Sequence, residues 1–173
     1  MSLRSERSLA AKYLLTHAQT SGPSSAPTQS SACRESWNYP TIYVNPPYGA
    51  DRERGTTIKH WLYKCAQAHD LYGSEVLALV PVATNTGHWK KYVWGQATAV
   101  CFLYDTRLRF LVEGKDGGKG APMSCAMIYW NKAIDKFRDV FIRDGAVVDL
   151  RPLLGKPIGD KSKLRQPKFF DNA

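Results

Sequence analysis

From Trp37 onward, hydrophobic positions fall in short runs divided by polar stretches, and the period of each run points to an element. TIYVN (41–45) is a short run of β-formers and reads as a strand. TTIKHWLYKCAQAHD (56–70) repeats at helical spacing: Ile58, Leu62, Cys65 and Ala66 share one face, and Thr56 or Thr57 can cap its start. EVLALVP (75–81) is almost continuously apolar, the pattern of a strand buried on both faces in a parallel sheet. GHWKKYVWG (87–95) reads as a short helix closed by Gly95, and TAVCFLY (98–104) as another strand. RLRFLVE (107–113) alternates, GKDGGKGAP (114–122) reads as a flexible basic loop, and SCAMIYW (124–130) as a further strand. Residues 131–145 are mixed, with a short strand near AVVDL (146–150). The order predicts a three-layer α/β unit with an antiparallel edge hairpin, in which ligands bind at the carboxyl ends of the strands.

The flanks differ. Residues 1–16 can form a short basic helix, and 17–36 are rich in Ser, Pro, Thr and Gln with almost no large apolar group. Such a stretch buries too little surface to offset its ordering entropy, so 1–36 reads as a flexible segment and linker. The folded domain is expected over 37–154, and 155–173 reads as a basic, loose tail.

Composition narrows the partner. The chain has 173 residues, 43% of them hydrophobic, with 24 Lys plus Arg against 15 acidic residues and a net charge of +9. That balance favours an anionic partner, nucleic acid first, over a merely solvated surface. Cys33, Cys65, Cys101 and Cys125 lie far apart with no C-x-x-C pair, which argues against a zinc site or a disulfide framework. No apolar run approaches a membrane span and no signal-peptide pattern begins the chain, so it reads as cytoplasmic.

The chemistry concentrates at NPPYG (45–49), directly after TIYV. Pro47 fixes its own φ and drives Pro46 toward extended conformations; Pro46 does the same to Asn45. Without N–H groups the two prolines cannot continue a ladder, so the step is a rigid loop presenting acceptors: the Asn45 side-chain oxygen and a main-chain carbonyl. Tyr48 follows with a flat aromatic face. Two acceptors beside a stacking plate suit a planar ring bearing an exocyclic amine: they hold its hydrogens and aim the nitrogen lone pair. Such a site calls for no metal.

NPPY resembles the motif of amino-methyltransferases that use S-adenosyl-L-methionine. The blocks that follow, HWLYKCAQA, ALVPVATNTGHW (78–89), RLRF (107–110) and APMSCAMIYW (121–130), make the chain resemble the phage-type DNA N6-adenine methyltransferase (Dam) family over about residues 41–130. The resemblance implies a three-layer α/β/α Rossmann-like methyltransferase fold, of which this chain would hold only the C-terminal half. It implies double-stranded DNA as partner, an adenine flipped from the duplex, and catalytic residues Asn45, Pro46, Pro47 and Tyr48. Asn45 and the Pro46 carbonyl would hold N6, Tyr48 would stack on the base, and N6 would attack the sulfonium methyl in line.

Thr84, Asn85, Thr86 and Trp89, together with Ser124, are candidates for substrate binding; the alternative is a capped loop with Trp89 in the core. Arg52, Arg54, Lys90, Lys91, Arg107, Lys115 and Lys119 sit on predicted loops, helix starts or strand faces and suit phosphate contacts. Arg107 and Arg109 fit an ordinary solvated strand face equally well. His60, His69 and His88 have no ligand spacing and read as surface or capping residues. What such an enzyme also needs is a strand, a glycine-rich turn and a helix to hold the cofactor, and no segment before Tyr39 supplies them. Either the chain is part of a split or truncated enzyme, or a partner subunit completes the cofactor site, or the N-terminal part is divergent. The rival readings are an RNA or protein-glutamine methyltransferase and a degenerate nucleic-acid-binding module.

Overall fold

In the computed structural model of the chain, the residues described are 36–48, 56–104, 109–112, 115–120, 123–156 and 158. The expected N-terminal helix and linker (1–35), Arg52, Arg54, Arg107 and most of the tail lie outside them.

Two apolar runs make the centre. Strand β2 (Glu75–Pro81) is buried at every residue but its first, and strand β6 (Cys125–Trp130) at every residue. They pair antiparallel, Val76 opposite Trp130 through Pro81 opposite Cys125. Strand β1 (Thr41–Val44) lies parallel to β2, and strand β3 (Ala99–Leu103) antiparallel to β6. Strand β7 (Gly145–Asp149) runs antiparallel to β3, giving the order β1-β2-β6-β3-β7. The sheet is therefore mixed, with one parallel pair: β2, read as a strand of a parallel sheet, runs parallel to β1 and antiparallel to β6. Strands β4 (Arg109–Val112) and β5 (Lys115–Gly120) form a separate two-stranded sheet rather than an edge of the main one. The glycine-rich 115–120 stretch is thus a paired strand where the composition predicts a loop. Main-chain pairing needs no side-chain propensity, only a partner, and Val112 opposite Lys115 supplies it.

Helices cover both faces. The pleat sends Val76, Ala78 and Val80 to one face and Leu77 and Leu79 to the other. The first face meets helix α1 (Ile58–Tyr72) through Trp61, Leu62, Cys65 and Ala66, and helix α2 (Gly87–Tyr92) through Trp89 and Tyr92. The second face meets helix α3 (Ile134–Phe141), whose Ile134, Phe137 and Phe141 recur at i, i+3 and i+7. Phe137 stacks on Tyr129 with ring centroids 4.8 Å apart. Eight residues give little more than two turns, too few for the period to stand out in the mixed segment 131–145. Thr57 begins α1: its N–H donates to His60 Nδ1 at 3.1 Å, so His60 is a capping residue. Gly73 ends it at φ +68°, a left-handed cap that carries the helix two residues past the expected end. Gly95 has no such role; α2 stops at Tyr92 and a turn follows. Trp37 is buried against Trp61, 6.0 Å between rings.

Gly145 starts β7 opposite Leu103, with no room for a side chain. A Cβ there would sit 2.3 Å from the Phe102 carbonyl oxygen and 2.5 Å from Cys101 Sγ. Backbone cannot yield as a flexible side chain can, so Gly145→Ala is expected to cost about 3 kcal/mol or more in urea unfolding. Gly73→Ala, strained only by its left-handed φ, is expected to cost about 1 kcal/mol. Equal costs at the two positions would contradict the close approach.

Candidate active site

The sheet gathers five chain segments on one edge. Strands β1 and β2 are parallel and end there at Val44 and Pro81. Strand β6 starts there, since Pro81 faces Cys125 and the Val82 N–H donates to the Ser124 carbonyl at 2.9 Å. β3 leaves and β7 enters at the same edge, with Leu103 opposite Gly145. The chain between Leu103 and Cys125, which carries the β4–β5 hairpin, therefore starts and finishes at this edge.

Asn45, Pro46, Pro47 and Tyr48 leave β1 here, without regular structure from 45 to 47. That is the abrupt strand end the two prolines dictate. Pro46 is buried; Asn45, Pro47 and Tyr48 are half-buried. The Tyr48 ring packs against the α3-side core, and its hydroxyl lies 3.6 Å from Cys125 Sγ. The aromatic ring is thus tied at its phenol end, on a side chain that is half-buried.

The turn after β2 is built by its own hydroxyls. Thr86 Oγ1 donates to the Ala83 carbonyl at 2.7 Å and lies 3.1 Å from His88 Nε2. Trp94 Nε1–H donates to the Thr84 carbonyl at 2.9 Å. This holds Thr84 and Asn85 exposed at the edge, near exposed Ser124. Trp89 differs: it is 0% exposed, stacked on Phe102 at 6.4 Å and packed on Trp94 at 5.4 Å. Of its two sequence readings, the core one describes its place. The helical period carries position 89 inward, and it presents no surface to a ligand. Its Nε1–H is buried with no hydrogen-bond partner among the described residues.

Lys90 is part-exposed and Lys91 exposed on α2, with Lys91 Nζ 5.4 Å from the Tyr92 ring centroid. Lys115 and Lys119 lie on β5, and Arg109 on β4. Two exposed apolar side chains at this edge escaped sequence reasoning, Tyr104 and Met123. So did Cys125: opening an apolar run, it reads as plain core. Among the described residues no group of three His, Cys, Asp or Glu could hold a metal ion, and no helix is long and apolar enough to cross a membrane.

His88 carries a pH-responsive feature of the edge. Burial, and then the charge of Lys59, hold it below its ordinary value of 6.5. The folded state thus disfavours the proton that the unfolded chain accepts, so stability is full above that value and falls as pH drops through it. Unfolding midpoints in urea at pH 8 and at pH about 5.5 are expected to show this fall, and His88→Gln to shrink it. A fall of the same size in the variant would assign it to other groups.

The geometry is that of an Asn-Pro-Pro-Tyr step at a strand end, with exposed Thr84, Asn85 and Ser124 on the same sheet edge. Neither the curated proteins nor the solved structures contain a match. A family model described as DNA N-6-adenine-methyltransferase (Dam) matches residues 24–154, from within the Ser/Pro-rich segment through β7. With most of its length in that match, including every segment gathered at the site edge, the chain belongs to the DNA N-6-adenine-methyltransferase (Dam) family.

Proposed function

We propose that this chain holds a flipped adenine of double-stranded DNA for methylation at N6, with S-adenosyl-L-methionine as methyl donor. The observation that carries the reading is the NPPY step at the sheet edge, with Tyr48 half-buried and tied at its hydroxyl. The Asn45 carboxamide oxygen and the Pro46 carbonyl accept the two N6 hydrogens. This draws electron density to nitrogen and points its lone pair away from the ring plane. Tyr48 stacks on the base and replaces the neighbours it lost in the duplex. Thr84, Asn85 and Ser124 stand at the same edge to meet the rest of the nucleotide.

The methyl donor needs its own cradle. Among the described residues, none forms a strand followed by a glycine-rich turn and a long helix: α2 has six residues, and the glycines at positive φ, Gly73 and Gly155, lie away from the site edge. The described residues therefore do not fit the cofactor, and the proposal for them covers the acceptor side alone. The donor side is supplied by chain outside them or by a partner subunit. The strand order supports this division. β1 and β2 are parallel, β6 is reversed, and β3 again runs with β2, as in the C-terminal half of a Rossmann-like methyltransferase sheet whose helices form a three-layer α/β/α stack.

DNA contact falls to the basic positions Arg52, Arg54, Lys90, Lys91, Arg107, Lys115 and Lys119, as phosphate neutralisers that position the duplex without reading it. A second reading is favoured by the missing cradle: a nucleic-acid-binding module without transfer activity.

Unmethylated duplex DNA incubated with the chain and tritium-labelled donor, with and without candidate partner chains, separates the two. Label is expected on DNA, and Asn45→Ala is expected to lower the rate by about 100-fold or more. Undiminished label in that variant would refute the role of Asn45, and DNA binding without label under every condition would favour the module. In anisotropy titrations, Lys115→Ala and Lys119→Ala are each expected to reduce the slope of log affinity against log salt by about one. An unchanged slope would remove that lysine from the interface.

A further inference from the structure

The backbone of NPPY is stiff, but stiffness stops at the Tyr48 Cα. The side chain still has two torsions, and a stacking plate that swings about them does not hold a base in one pose. Something beyond the prolines must set the ring.

Cys125 is placed to do so. It is the first residue of β6, paired with Pro81 at the end of β2, and only 5% exposed. Its thiol lies on the same face of the sheet as the Tyr48 ring, within the core cluster against which that ring packs. Its Sγ is 3.6 Å from the Tyr48 hydroxyl and 3.8 Å from the Met123 carbonyl oxygen, to which its S–H donates. A thiol has one hydrogen. With that hydrogen on the Met123 carbonyl, sulfur meets the phenol as an acceptor and Tyr48 donates. The chain of contacts therefore runs from ring to thiol to the backbone at Met123, just before β6.

We infer that Cys125 is a positioning residue for the methyl-transfer site: it fixes the torsions of Tyr48, so that one part of the ring is held against the core and the remainder faces the base. This rests on the reading of Tyr48 as the stacking plate. Sulfur suits the task by size. A serine hydroxyl at 125, on a shorter bond, reaches less far toward the phenol and would hold it more weakly, whereas valine fills the space and holds nothing.

The test is a double-mutant cycle with Tyr48→Phe and Cys125→Val, plus Cys125→Ser, measured by label transfer to duplex DNA at varied DNA and varied donor concentrations. Each single variant is expected to lose roughly fivefold in kcat/KM for DNA, the worth of one ordinary hydrogen bond, with KM for the donor unchanged. The double variant should lose no more than either single one, and Cys125→Ser should fall between wild type and Cys125→Val. Losses that multiply, or a Cys125→Val indistinguishable from wild type, would overturn the inference while leaving the reading of the site intact. The same cycle in urea supplies the second readout. Variants that unfold earlier yet keep KM and kcat for DNA would make the contact merely structural and also overturn it. A wild-type chain that transfers no label with any partner would overturn the site reading, and the positioning role with it.

Discussion

Everything at the site hangs on β6 being gripped from both sides. It is the central strand of the five, paired antiparallel to β2 and to β3, and every one of its residues is buried. Its Ala126, Ile128 and Trp130 enter the α1 and α2 core, and its Cys125, Met127 and Tyr129 enter the α3 core. Because side chains alternate with a period of two, a slip of one residue would exchange the two sets and drive Trp130 and Tyr129 into each other's space. The register is therefore fixed by volume as well as by hydrogen bonds. That register is what brings Cys125 to the end of β2, and so to Tyr48.

The far edge is braced by different means. The Tyr129 hydroxyl donates to Glu75 Oε1 at 2.7 Å across the β2–β6 pair, and the Thr98 hydroxyl donates to the Tyr129 carbonyl at 3.1 Å. Ser74 Oγ bonds the Trp37 carbonyl, and the Glu75 N–H bonds the Pro40 carbonyl at 2.9 Å. One edge is thus closed by short polar contacts that serve the fold, while the other keeps its turns exposed. The division fits a sheet of this kind, where stability and chemistry occupy opposite ends of the strands.

Much of this was legible in the sequence, for reasons that can be named. Long apolar runs such as EVLALVP and CAMIYW have few alternatives to a strand buried on both faces. The helix from Ile58 announces itself by its period, and NPPYG announces a rigid strand end because proline chemistry is local. Strand direction was not legible: whether β6 runs with or against β2 depends on where the connection returns, which no local pattern encodes. Nor was the pairing of 115–120, whose glycines have no strand preference. Trp89 shows the limit at the site itself. Its place beside Thr84 to Thr86 fits a pocket wall and a core residue alike, and only the phase of a six-residue helix decides between them. The Tyr48–Cys125 contact joins positions 77 residues apart, beyond the reach of spacing arguments.

The β4–β5 hairpin has a further consequence for how such a chain can change. It is spliced between β3 and β6, and those are already side by side in the sheet, their ends about 4.8 Å apart. The sheet closes the same way however long the excursion is, and the cost of lengthening a loop grows only with the logarithm of its length. The hairpin can therefore be exchanged, extended or recharged with little strain on the strands that hold NPPY. Its length and charge can drift while the geometry around NPPY stays under constraint.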